Sequence, residues 1–379
     1  MKEFIKALYA DLLHRIDLVV GEINKMEHHD DYRDRFIEGT LNKFKELRLP
    51  IQNALEIGAL EFDALSGNYL YLYNRAHREF NAYHSYRFLA IKNYKDPEIF
   101  FYRLITKIYN EHRINALPPI VSTISNHDYY YWAVPLFEII ALPSGEENSL
   151  LNLPDIYHEI GHLLFSMFKG KSCELSGVAI EKHFKKEVVR LEDEKSYAHF
   201  GEEVERAKYL WQVSWLEEFS CDLAGTYMTG AAYGWTNLKL ISAGHGSSKI
   251  YDYSETHPAN EARMRIIIIM LDKLGLTEDK KKVEKTWNEF LKETEIFRPN
   301  AYVLLYPQKL LQMIVDEFFE FYDNADLAPC TELGGKTDVP LCDILNTAWN
   351  LAQADPLQYY IHETTEINKL KAHFGLPVN

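Results

Sequence analysis

The chain has 379 residues, 47% of them hydrophobic and 26% charged, the composition of an ordinary globular protein with room for a sizeable core. Its formal net charge of −15 argues against nucleic acid and anionic membrane as main partners.

The opening segment interleaves charges with apolar residues at helical spacing and lacks the unbroken apolar stretch of a signal peptide. Residues 1–115 read as several amphipathic helices. Within them, 69–88 mixes aromatics with Arg75, Arg78 and Arg87, and reads as a helix packed through its tyrosines rather than a base-stacking surface. Ala116–Pro119 and Ser125–Asp128 read as turns around a β-branched stretch. Tyr129–Leu142 follows as the best strand, and Pro135 inside it predicts an edge position.

A helix is expected to open near Asn152, with Pro154 and Asp155 in its first turn, and to run to about Phe168. A second, long helix covers roughly 202–229 and ends near Gly230. The loop after it leads into a helix from Pro258 to Leu274, stopped by Gly275. Its apolar run Ile266–Leu271, the longest in the chain, is too short to span a bilayer. The remainder reads as helical, with a loop around Ala328–Pro340. The expected fold is mostly α (α+β): a core over 116–275 with a small mixed sheet, flanked by helical regions over 1–115 and 276–379. Cys173, Cys221, Cys330 and Cys342 fall at irregular distances with no CxxC pair, which predicts reduced thiols and a cytoplasmic setting.

The chemistry concentrates at His158-Glu159-Ile160-Gly161-His162. Histidines at i and i+4 share one helix face, so both imidazoles can reach one metal ion, with Glu159 beside them. A zinc ion held there polarises a carbonyl and acidifies a water, and Glu159 serves as general base. The pattern needs a third ligand, and Trp211–Gly225 offers one. At about 100° per residue, Trp211, Trp215, Phe219 and Leu223 form an apolar stripe. Glu218 falls at its margin and Asp222 within it, whereas Glu217 reads as solvent-facing. Glu218 is the expected third ligand, and Asp222 the acceptor for a ligand histidine's N–H. Cys221 is set aside because its i+4 relation is to Glu217.

A third element is Thr256-His257-Pro258, followed by Arg263 and Arg265. His257, at a helix start, is a candidate donor to a developing oxyanion. His245, Tyr251 and Tyr253 compete for that role. Arg263 is read either as a substrate contact or as an anchor for an acid near the site.

HEIGH, EFSCD and THPANEAR, in that order, resemble a gluzincin, with the last block similar to the Thr-His-Pro…Arg element of HtpX and CAAX-prenyl-protease-type zinc peptidases. The metzincin continuation does not apply, because Phe165 and Phe168 stand where it needs glycine and histidine. The resemblance covers roughly Tyr129 to Arg265. It implies a zincin-like core and one zinc per chain on His158, His162 and Glu218. It further implies Glu159 as base, Asp222 behind the ligands, and 132–142 as the edge strand on which a peptide lies. The expected partner is a peptide or protein substrate, with the helical flanks open to a regulatory partner. Two other readings compete: a non-haem iron oxidoreductase using the same two histidines and carboxylate, and a non-catalytic helical interaction protein with a structural metal.

Overall fold

The computed structural model describes residues 1–26, 33–57, 66–125, 130–243, 250–294, 296–333 and 339–378. The N-terminal region is helical: α1 (Lys2–Ile23), α2 (Glu38–Ile57), α3 (Ser66–Tyr83), α4 (Leu89–Lys92) and α5 (Asp96–Glu111). Leu12 and Ile16 of α1 meet Phe44 of α2 and Phe80 of α3 in an apolar cluster of their own. Of the tyrosines of 69–88, Tyr69 and Tyr73 pack inward, 6.4 and 5.8 Å from the Tyr9 ring, whereas Tyr71 is exposed. Arg87 is paired with Glu138 at 3.3 Å.

The expected single strand over 129–142 is two strands. β1 (Ile120–Ser125), β2 (Trp132–Val134) and β3 (Ile139–Pro143) form a mixed sheet in the order β1-β3-β2. β3 runs parallel to β1 and antiparallel to β2, with Ile139 opposite Ile120 and Ile140 opposite Ala133. Pro135 opens a short 3-10 turn between β2 and β3. Its fixed φ and missing N–H stop the ladder there. Of the stretch expected at the edge, Ile139–Leu142 thus belong to β3, the buried central strand, and Trp132–Val134 form β2 at an edge.

Among the described residues, helices then follow without interruption by strands: α6 (Pro154–Asp193), α7 (Tyr197–Leu210), α8 (Leu216–Thr229), α9 (Ala231–Ser242) and α10 (Asn260–Lys273). After them come α11 (Thr277–Thr294), α12 (Tyr302–Leu305), α13 (Gln308–Asn324), α14 (Leu341–Ala354) and α15 (Pro356–His373). The architecture is therefore mostly α with one small mixed sheet. Pro154 starts α6 as expected, but the helix continues well past Phe168, since no proline interrupts it. A wide-spaced π turn, Trp211–Trp215, joins α7 to α8, and Gly230 ends α8 with φ of +66°. One apolar cluster extends from α5 to α15 and passes residue 275 without a break. The C-terminal helices thus share a core with the helices that carry the histidines. Among the described residues no helix is long and apolar enough to cross a membrane.

α6 packs most extensively on α8. The two backbones meet at Gly161: a Cβ there would lie 2.7 Å from Cys221 Cα. Only a residue without a side chain permits that approach. Gly161→Ala should therefore destabilise the protein by about 1–3 kcal/mol through overpacking, despite alanine's better helix propensity. A lowered denaturant midpoint checks this, and a raised one would contradict the close crossing.

Candidate metal centre

Four segments build the site. α6 supplies His158, Glu159 and His162, one turn apart, with ring centroids of the histidines 5.2 Å apart. α8 supplies Glu217, Glu218, Cys221 and Asp222, α9 supplies Tyr233, and the region from His257 into α10 supplies His257 and Arg263.

Glu218 straddles the two histidines. Its Oε2 lies 3.5 Å from His158 Nε2, and its Oε1 lies 3.7 Å from His162 Nε2. Two ligand atoms on one tetrahedral zinc, each about 2.0–2.2 Å from the ion, stand about 3.4 Å apart. Each oxygen of Glu218 comes near that separation to a different imidazole, while the group whose ligand atoms all lie within 4.8 Å of one another is His158, His162 and Cys221. Glu218 Oε2 is also buried without a hydrogen-bond partner, a costly state for a carboxylate oxygen unless a cation meets it. Glu159 Oε2 is likewise buried and unpartnered.

The remaining ring nitrogens are held from behind. His158 Nδ1 lies 3.1 Å from Asp222 Oδ1, and His162 Nδ1 lies 3.0 Å from Glu217 Oε1. Each carboxylate is placed to accept an Nδ1–H and so to orient its ring, with Nε2 turned toward Glu218. Glu217 is therefore not the solvent-facing carboxylate of the helical wheel. α8 is buried on every side from Glu218 to Thr229, so it lacks the solvent face that the wheel assumes, and Glu217 beside that stretch turns to His162. Cys221 is likewise buried beside the histidines. Its Sγ falls within 4.8 Å of a ring nitrogen of each histidine, so His158, His162 and Cys221 also form a group able to hold a metal. Burial pushes the Cys221 thiol far up in the metal-free chain, whereas His158 holds Glu218 ionised.

Asp222 is fully buried and takes a forked pair of bonds from Arg263, Nε to Oδ2 at 2.8 Å and Nη2 to Oδ1 at 2.6 Å. Tyr233 donates its hydroxyl to Asp222 Oδ1 at 2.6 Å and stacks its ring parallel to His158. Burial alone would raise the Asp222 carboxyl, but Arg263 and His158 hold it well below the usual range. Of the two expectations for Arg263, the anchor matches this geometry and the substrate contact does not. Nothing in the sequence singled out Tyr233.

The electrostatics favour positive charge between the histidines. Burial works to lower the His158 imidazole, yet Asp222 and Glu218 outweigh it and raise it to about 10. Burial works to raise Glu218, and its contacts with His158, aided by His257 and Arg263, lower it to about 2. Burial pushes the Glu159 carboxyl up, only partly offset by the histidines. Asp155, one turn before Glu159, is raised to about 7, again by burial.

His257 stands at the open side. Its side chain is 57% exposed, with Nε2 3.6 Å from Glu218 Oε2 and Nδ1 2.8 Å from Thr256 Oγ1. Tyr251 and Tyr253 line a cavity of about 560 Å³ together with His257. A smaller cavity, about 170 Å³, lies by Phe165, Ser214 and Glu217. His245 lies outside the described residues.

No family model matches the chain, and no curated protein and no solved structure matches it.

Arg263→Met leaves the Asp222 carboxylate buried without its cation and should cost about 3–5 kcal/mol of stability. Adding Asp222→Asn should restore a large part of that loss. Equilibrium denaturation of the two variants checks both statements.

Proposed function

We propose that the chain is a zinc-dependent peptidase, with His158, His162 and Glu218 as metal ligands and Glu159 as general base. The observation that carries this reading is the convergence of two Nε2 atoms on the two oxygens of one buried carboxylate, with a second unpartnered carboxylate, Glu159, beside them.

Zinc bound there would polarise the scissile carbonyl and acidify a water. Glu159 takes that water's proton and passes it to the leaving amine. Burial shifts its carboxyl upward, in the direction that suits a group which both accepts and returns a proton. His257, exposed at the mouth of the site, donates from Nε2 to the oxygen on which negative charge develops. Asp222 and Glu217 orient the two ligand rings, and Arg263 and Tyr233 keep Asp222 in place. Cavities on both sides supply room for residues flanking the scissile bond. Among known families the motif order most resembles the gluzincins, and the proposed setting is cytoplasmic, in keeping with the free thiols of Cys221, Cys330 and Cys342.

The same ligand types suit mononuclear iron. Hydrolysis is preferred because an oxidoreductase gives no role to a buried carboxylate adjoining the first ligand histidine.

Metal analysis of the purified protein should find one zinc per chain. Glu159→Gln should keep the zinc and slow hydrolysis of a peptide library by at least about 10²-fold. Stoichiometric iron, or undiminished hydrolysis in the variant, overturns the reading. Glu217→Gln removes the charge behind His162 and should weaken zinc binding by about 10–100-fold in a chelator competition. An unchanged affinity would show that Glu217 does not orient the ring.

A further inference from the structure

The cavity beside His257 carries chemistry that hydrolysis alone does not require. Its apolar walls are the rings of Tyr251, Tyr253 and Tyr302 with Pro258 and Pro299. The rings are held in place. Tyr302 is buried and donates its hydroxyl to Glu261. Tyr251 packs edge-on against Tyr302 at 5.1 Å, and Tyr253 against Trp215 at 4.9 Å.

Three charged side chains also line it: Glu203, Asp252 and Arg206. Arg206 is paired outward with Glu255 at 3.6 Å. Glu203, half-buried, and Asp252 have no hydrogen bond or ion pair among the described residues. Among the described residues the aromatic-walled space is thus lined by two carboxylates and one guanidinium, and that guanidinium is shared with Glu255. Among the described residues, the cations acting on Tyr251 are the exposed Arg298 and Arg265, the latter tied to Glu261 at 3.0 Å. The excess negative charge of the lining therefore sits at the Glu203 and Asp252 end. The cavity adjoins the reacting centre through His257, whose Nε2 is 3.6 Å from the unpartnered Glu218 oxygen.

A long aliphatic stem ending in a cation fits this lining. Stems of lysine and arginine lie on apolar surface, ring faces attract the cation, and the carboxylates neutralise it. An acidic side chain is repelled there. A neutral one leaves Glu203 without a partner.

We propose that this cavity is the specificity pocket of the site and takes a lysine or arginine side chain of a peptide substrate. The proposal rests on the peptidase reading of the neighbouring centre, but its test does not require turnover. The full chain carrying Glu159→Gln, loaded with zinc, is titrated into fluorescein-labelled heptapeptide mixtures. In each mixture one position is fixed as arginine, citrulline, norleucine or glutamate, and binding is followed by anisotropy. At one position arginine should bind about tenfold or more tightly than citrulline. Adding Glu203→Gln and Asp252→Asn together should erase that preference while zinc content stays at one per chain. If the combined variant unfolds, Asp252→Asn alone, at an exposed position, should still reduce the preference.

The pocket is overturned if no position favours the cation, or if the preference survives both substitutions. Hydrolysis by the unmodified protein is scored separately. Turnover without an arginine preference removes the pocket alone, whereas an arginine preference without turnover removes the peptidase reading and leaves a cation-binding peptide site.

Discussion

The contact between Gly161 and Cys221 sets the distance at which α6 and α8 cross, and the site exists only at that distance. A Cβ at Gly161 would meet Cys221 Cα at 2.7 Å. With the backbones this close, His158 and His162 on one side of the contact reach Glu218, Asp222 and Glu217 on the other. A helix pair separated by ordinary side chains, with axes about 8–10 Å apart, would leave those groups further from one another.

Closeness alone would be unfavourable, because it gathers Glu159, Glu217, Glu218 and Asp222 in a largely buried space. The fold compensates one of them completely. Arg263 grips Asp222 with two nitrogens, and Tyr233 adds a third donor. Glu217 finds the N–H of His162. The oxygens left over, Oε2 of Glu218 and Oε2 of Glu159, are the two that the proposed chemistry uses. Under the proposed function these are the oxygens that a divalent cation and a water would meet; Asp155 Oδ2, one turn before Glu159, is a further buried oxygen without a partner.

Much of this was legible from residue spacing. His158 and His162 share a face because i and i+4 do so in any α-helix, and Glu218 and Asp222 point inward because a stripe of Trp211, Trp215, Phe219 and Leu223 cannot face water. Where the reading failed, the surroundings or a backbone break decided. α8 is buried on every side from Glu218 to Thr229, so Cys221 lies beside the histidines and Glu217 turns to His162 although the wheel sets both apart from the apolar stripe. Pro135 broke one expected strand into two and moved the buried half to the centre of the sheet. Tyr233 was invisible for another reason. Its partner Asp222 lies 11 residues earlier on a different helix, and no local pattern relates a tyrosine to an acid across a Gly230 corner. The glycine in the middle of HEIGH carried a usable signal, since a glycine inside a helix marks a close approach.

The central claim is that the metal lies among two imidazoles and the Glu218 carboxylate, and X-ray absorption at the zinc edge tests it most directly. Nitrogen and oxygen ligands lie at about 2.0–2.2 Å from zinc and a cysteine sulfur at about 2.3 Å, with a stronger scattering signature. The account predicts a first shell of nitrogen and oxygen only, with imidazole features from two histidines, and the loss of one oxygen in Glu218→Ala. A sulfur in that shell would place the ion on Cys221 instead, and would contradict the proposed ligand set.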